Sequence, residues 1–157
     1  MERKSRTATT HKGGIVPPTP THQPYEIERA VEPADIDQLG HVNNVVYLRW
    51  VQDAAVAHWM AAANEAEQRD YLWVVTRHEI DYKRPAFIED TIVVRTWVGT
   101  ASRAGFERHT ELRRKSDGKL LARVRSIWRP INAETRQAVN VSAETFARFS
   151  VPASDAG

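Results

Sequence analysis

The sequence predicts an α+β domain, one long helix followed by a run of antiparallel strands, and three observations carry this reading. Residues 43–63 hold the longest helical pattern, with Tyr47, Val51, Ala54, Ala55, His58, Trp59 and Ala62 spaced at i, i+4, i+7 and i+8. Most later segments alternate apolar and polar residues with period two. Asp117-Gly118 is a strong hairpin signal between the last two of them.

Residues 1–23 are rich in Thr, Pro, Lys, Arg and His and show no apolar period, so they are expected to form a disordered tail. A single domain is expected over 24–150, with a short tail at 151–157. Tyr25, Ile27, Arg29 and Val31 alternate with Glu26, Glu28 and Ala30, giving a first strand. The helix follows a polar loop. Val46, Trp50 and Met60 widen its apolar stripe, so it needs cover on most of its circumference, and a strongly curved sheet would supply that. Leu72 to Tyr82 is expected as a strand with Leu72, Val74, Thr76, His78, Ile80 and Tyr82 on one side, ended by Pro85. Thr91–Val98, Ala104–Lys115 and Leu120–Arg129 are the remaining strands, and Pro130 with Asn132 to Arg136 makes a turn. Ser142 caps a short final helix from which Phe146 and Phe149 pack back.

The 157 residues include 22 Lys and Arg against 20 Asp and Glu, a mixed surface that gives little support for a polyanionic partner. Nucleic acid is not expected as a partner; the basic residues Arg3, Lys4, Arg6 and Lys12 are read as part of a solvated tail. The absence of cysteine excludes disulfides, thiolate metal sites and a cysteine nucleophile. No apolar run approaches the ~20 residues of a membrane span and there is no signal-peptide h-region, so no membrane association and a cytoplasmic location are the default expectations.

Chemistry concentrates in Asp35-Ile36-Asp37-Gln38-Leu39-Gly40-His41-Val42-Asn43-Asn44, just ahead of the helix. Asn43 or Asn44 can cap that helix through a side-chain oxygen. The free N–H groups of its first turn, with the dipole behind them, would stabilise a developing oxyanion. A carboxylate about one turn upstream is then a candidate base or nucleophile. His58, His78 and His109 show no metal-ligand spacing, and no metal site or cofactor is expected.

Asp-x-Asp-x-x-Gly-His-Val-Asn-Asn-x-x-Tyr-x-x-Trp resembles the signature of hotdog-fold acyl thioesterases of the 4-hydroxybenzoyl-CoA thioesterase-like family, and is similar to a segment of plant acyl-ACP thioesterases. Tyr82-Lys83-Arg84-Pro85 with Glu89 and Asp90 looks like that family's second-strand motif, and the resemblance covers roughly Tyr25 to Glu144. It implies a hotdog fold, a long central helix wrapped by a curved antiparallel sheet, in subunits that join as dimers or tetramers. It also implies hydrolysis of an acyl-CoA, or alternatively an acyl-ACP, to a free acid and thiol. Asp37 matches the second aspartate, which attacks the thioester or activates water. A free carboxylate, with a reference pKa of about 3.9, is already ionised for either task. Asp35 is read as a turn residue. His41 would orient Asp37, donate to the thioester carbonyl or help the thiolate leave. Asn43 and Asn44 would cap the helix and could also hold water or substrate. Gly40 would permit a positive φ or close ligand approach, and Tyr47 would pack behind the site or touch substrate. Asp53 corresponds to a helix acid used by other branches and is not favoured here. Arg84 with Lys83, Arg103, Arg108 and Arg113-Arg114-Lys115 are candidates for the CoA phosphates, each weighed against a plain solvated strand face. The rival readings are a hotdog dehydratase, which the Asp37 cluster argues against, and a non-catalytic acyl-binding protein.

Overall fold

The computed structural model describes residues 24–102 and 105–149. The expected tails, 1–23 and 151–157, lie outside the described residues. Strand β1 (Tyr25–Ala30) leads through a 3-10 turn at Pro33–Asp35 to helix α1 (Asn44–Ala62), a short helix α2 (Glu65–Asp70) and strand β2 (Tyr71–Tyr82). Strands β3 (Thr91–Ser102), β4 (Gly105–Arg114) and β5 (Leu120–Asn132) follow, and helix α3 (Ala143–Phe149) comes last. The five strands form one antiparallel sheet in the order β1-β3-β4-β5-β2.

Helix α1 lies against the sheet because its apolar stripe is wide. Val46, Tyr47, Trp50, Val51, Ala54 and Ala55 are buried, and most of them pack with Ile92, Val94, Leu112, Leu121 and Val124 of the sheet. Each large side chain fully removed from water stabilises by roughly 1.5–3 kcal/mol. Met60, expected in this stripe, is instead 56% exposed. Pairing irregularities fall between Val75 and Arg77, Val98 and Ala101, and Leu112 and Arg113. Such bulges bend strands and increase their twist, which suits a sheet that must curl round a helix.

The same bulges correct the strand readings. Leu72, Val74 and Thr76 are exposed while Trp73, Val75, His78 and Ile80 are partly buried, so the single inward face expected of β2 does not exist. The extra residue beside Thr76 moves the side chains that follow onto the opposite face. β3 runs on to Ser102, and β5 runs through Pro130 rather than turning there. Pro130 is tolerated because its carbonyl side faces away from β2, accepting from Val139 N–H at 3.2 Å, so its missing N–H removes no bond to β2. The Asp117-Gly118 hairpin is present, with Gly118 at φ 69° in a turn that Arg114 and Lys119 close by an N–H···O bond of 3.0 Å.

Helix α2 was not anticipated. Its signal is a capping box: the Asn64 side chain accepts from Glu67 N–H and the Glu67 carboxylate from Asn64 N–H. The second Glu67 oxygen accepts from the Thr145 hydroxyl at 2.8 Å and pairs with Arg148, tying α3 down. α3 is capped as expected by Ser142, whose Oγ accepts from Thr145 N–H, and Phe149 stacks on Trp59.

Gly105 shows where the sheet leaves no room. It has φ +128°, and a Cβ there would stand 2.4 Å from the Trp128 carbonyl oxygen. Gly105→Ala is expected to cost about 2 kcal/mol or more. Denaturant unfolding checks this, with Gly118→Ala as the milder comparison because nothing stands within 4 Å of its Cβ position.

Candidate active site

The loop before α1 folds back on itself. Ile36 and Val42 form an antiparallel bridge, Asp37 N–H donates to the His41 carbonyl at 3.0 Å, and Gly40 N–H donates to the Asp37 carbonyl at 3.0 Å. Gly40 sits at φ 82° with open space around it, so the turn, not a close neighbour, calls for glycine there. The bridge ends one residue before the helix cap, which sets Asp37 and His41 opposite each other beside the start of α1.

Asn43 is the cap. Its Oδ1 accepts from Val45 N–H at 3.0 Å, while its own N–H donates to the Asp35 carbonyl. Asn44 is the first helical residue and is exposed; its carbonyl accepts from the Tyr82 hydroxyl at 2.8 Å. No acceptor meets the Asn44 N–H among the described residues. Asp35 is buried, its carboxylate taken up by Glu32 N–H and by Arg49, the structural role expected of it.

Asp37 is half-buried. One oxygen, Oδ1, accepts from Leu39 N–H at 2.8 Å, and Oδ2 has no partner among the described residues. His41 lies across the small hairpin, but its Nδ1 is 3.3 Å from the Val42 carbonyl, so the ring is not engaged with the Asp37 carboxylate.

The second motif lies directly under this loop. Ala86 is fully buried; its carbonyl accepts from Val42 N–H at 2.9 Å and its N–H donates to the Tyr47 hydroxyl at 3.2 Å. Tyr47 is therefore a buried support, edge-on to Tyr82, and burial raises its phenol pKa. The structure thus brings the two motifs together. It leaves Arg84 exposed, its guanidinium donating to the Leu120 carbonyl at 2.9 Å. Asp53 pairs with Arg29, and Arg113, Arg114 and Lys115 pair with acids of the sheet and its loops. Arg103 lies outside the described residues.

Arg108 is not on a solvated face. It is buried and lines a cavity of about 370 Å³ between the second half of α1, β2, β4, β5 and α3. Its Nη1 lies 3.1 Å from both His58 Nδ1 and the Thr96 hydroxyl. A guanidinium can only donate, so Nδ1 is the acceptor and the neutral ring carries its proton on Nε2. Burial, and then the Arg108 charge, push His58 down to about 3, and burial lowers Arg108 to about 10. The signal for an inward Arg108 was in the sequence: Phe106, Arg108, Thr110 and Leu112 share one period-two face.

The chain belongs to the thioesterase-like superfamily, whose family model matches residues 31–149. Among curated proteins, a chloroplastic acyl-[acyl-carrier-protein] hydrolase of Cuphea viscosissima is 34% identical over 77 residues, 49% of this chain and 19% of its own length. A palmitoyl-acyl carrier protein thioesterase of Gossypium hirsutum is 26% identical over 121 residues, 76% of this chain and 29% of its own. The chain thus spans only about a fifth to a third of the length of these relatives. Among solved structures, a 1,4-dihydroxy-2-naphthoyl-CoA thioesterase from Synechocystis aligns at TM-score 0.66 with 21% identity, over 78% of this chain and 92% of that one. A thioesterase from Thermus thermophilus complexed with coenzyme A and Zn aligns at TM-score 0.68 with 22% identity, over 82% and 93%. The fold is the hotdog fold.

Two outcomes follow from this geometry. Asn43→Ala is expected to destabilise by about 1 kcal/mol through loss of the cap, while Asn44→Ala stays within about 0.5 kcal/mol; urea melts of the two variants separate them. His58 is neutral when folded and ordinary when unfolded, so the unfolded state binds more protons as pH falls below 6.5. Its contribution to stability is full above that pH and is lost progressively towards about 3, at roughly 1.4 kcal/mol per pH unit at most. Unfolding free energies measured across that range should fall less steeply in His58→Gln than in the wild type.

Proposed function

We propose that this chain is an acyl thioesterase that hydrolyses an acyl-CoA to a free acid and CoA. The observation that carries the reading is Asp37 itself: a half-buried carboxylate with one oxygen unpartnered among the described residues, ahead of a helix start whose Asn44 N–H meets no acceptor among them. Family membership supports the reaction class.

As a base, Asp37 takes a proton from water while the oxygen adds to the thioester carbonyl. Negative charge gathers on the carbonyl oxygen, where the Asn44 N–H and the helix dipole stabilise it, since the Val45 and Val46 N–H groups are taken by Asn43. Collapse of the adduct breaks the C–S bond, and the sulfur leaves as thiolate and gains a proton. As a nucleophile, Asp37 forms an acyl anhydride that water then opens, giving the same products. His41, whose Nδ1 donates to the Val42 carbonyl, assists through Nε2, which donates to the carbonyl or the leaving sulfur in the imidazolium form.

A carrier-protein thioester is the second reading, favoured by the acyl carrier protein named for the plant relatives. It predicts turnover that falls steeply with salt, as an acidic carrier meeting basic side chains requires. Arg84 and Lys83, both exposed near the loop that supports the site, are proposed contacts for CoA phosphates or the carrier. Self-association as a dimer or tetramer belongs to the same proposal, supported by edge strand β2 with Leu72 and Val74 exposed. A cytoplasmic site of action belongs to it as well.

Thiol release from short, medium, long and aromatic acyl-CoAs tests the proposal. Asp37→Asn should lower kcat by about a hundredfold or more with folding intact. Unchanged turnover in that variant would remove Asp37 from the chemistry.

A further inference from the structure

The cavity at the far end of α1 contains none of the residues given a chemical role above. Its walls are apolar, with Trp59, Phe106 and Phe146 prominent, yet Arg108 stands among them. No carboxylate among the described residues pairs with this guanidinium; its protein partners are a neutral imidazole and a hydroxyl. Two further wall residues, Trp73 and Trp128, have buried indole N–H groups with no acceptor among the described residues.

The register relates these three residues. Phe106 opposes Trp128 and Arg108 opposes Ser126 across β4 and β5, while Trp73 opposes Pro130 across β2 and β5. Arg108, Trp128 and Trp73 are therefore diagonal neighbours in a row across three strands, at spacings long side chains bridge. All three are hydrogen-bond donors. A buried cation without a counter-charge is costly to hold, and buried donors are almost always satisfied. What the wall lacks is an anionic acceptor. The cavity's size and apolar lining are those of a small-molecule pocket.

We propose that this cavity binds an apolar ligand carrying one carboxylate, with Arg108 as its counter-ion. A free carboxylic acid has this chemistry, and so does an acyl group with a second carboxyl at its far end. The helix rise puts Gln52, at the cavity's near rim, about 12 Å along α1 from Asn44. The binding itself goes beyond the hydrolase reading; only the thioester form of the ligand rests on it.

The test uses tryptophan fluorescence of the full chain, since Trp59, Trp73 and Trp128 line the cavity. The probes are straight-chain carboxylates from hexanoate to dodecanoate and the matching alcohols. Carboxylates should bind at least about tenfold more tightly than alcohols of equal length, and Arg108→Gln, which removes the charge, should abolish that preference. Equal affinity for the two head groups, no carboxylate binding, or a preference that survives Arg108→Gln overturns the proposal. The wild-type comparison of head groups decides it even where a variant fails to fold. Thiol release from decanedioyl-CoA and decanoyl-CoA separates the sources. A lower KM for decanedioyl-CoA that depends on Arg108 assigns the carboxylate to the acyl group. Equal KM values beside intact decanoate binding assign it to a free acid. Decanoate binding with no release from either thioester would sink the hydrolase reading alone.

Discussion

Helix α1 buries one wide apolar face, including Val46, Tyr47, Trp50, Val51, Ala54 and Ala55, and a single sheet has to cover it. A flat sheet can shield only a narrow face of a helix, so β2, β3 and β4 carry irregular pairings that let the layer curl. With the sheet laid along the buried face of the helix, the two ends of that face are the open places. The N-terminal end opens at Asn43 beside the Asp37 loop, and the C-terminal end opens towards the cavity beneath α3. Both candidate sites are therefore consequences of how one helix is buried.

The N-terminal end is held by backbone. Val42 and Tyr47 are both tied to Ala86, Asn43 is tied to Asp35, and Asp37 is tied to His41. These bonds fix a carboxylate against the helix start through main-chain geometry, which tolerates less drift than side-chain contacts alone. The buried Asp35 takes the structural share, paired with Arg49, and Asp37 is the acid with an oxygen unpartnered among the described residues. Two aspartates two residues apart thus differ in their partners: Asp35 is bound into the scaffold by Glu32 N–H and Arg49, while Asp37 accepts from Leu39 N–H alone among the described residues.

Much of this was legible in the sequence. The helix from Asn44 to Ala62, its cap at Asn43, the hairpin at Gly118 and the Ser142 cap follow local rules that need no tertiary information. The motif residues Asp37, Gly40 and His41 were visible as a group, and the structure folds them into one small hairpin. What local rules missed depended on distant partners. The reversal of faces in β2 arises from its pairing with β5, and Pro130 stays in its strand because it turns its missing donor away from β2. Arg108 was read as a surface cation by residue type, although its period-two neighbours Phe106 and Leu112 placed it inward. Where charge and pattern disagreed, pattern was the better guide.

That disagreement separates the two ends of the helix. Around Asp35, Asn43 and Ala86 the buried polar groups satisfy one another, the condition under which a polar network specifies one structure. Around Arg108 the balance among the described residues is one-sided: the guanidinium, the His58 Nε2 proton and two indole N–H groups are donors, and the acceptors met, the hydroxyl of Thr96 and His58 Nδ1, take up one nitrogen of the guanidinium. Protonating His58 could not relieve this, because it would add a second cation about 3.1 Å from the first and remove an acceptor. A surplus of donors in an apolar interior does not help specify the fold. It marks the end of the helix where a ligand, and not the chain, is expected to supply the missing acceptor.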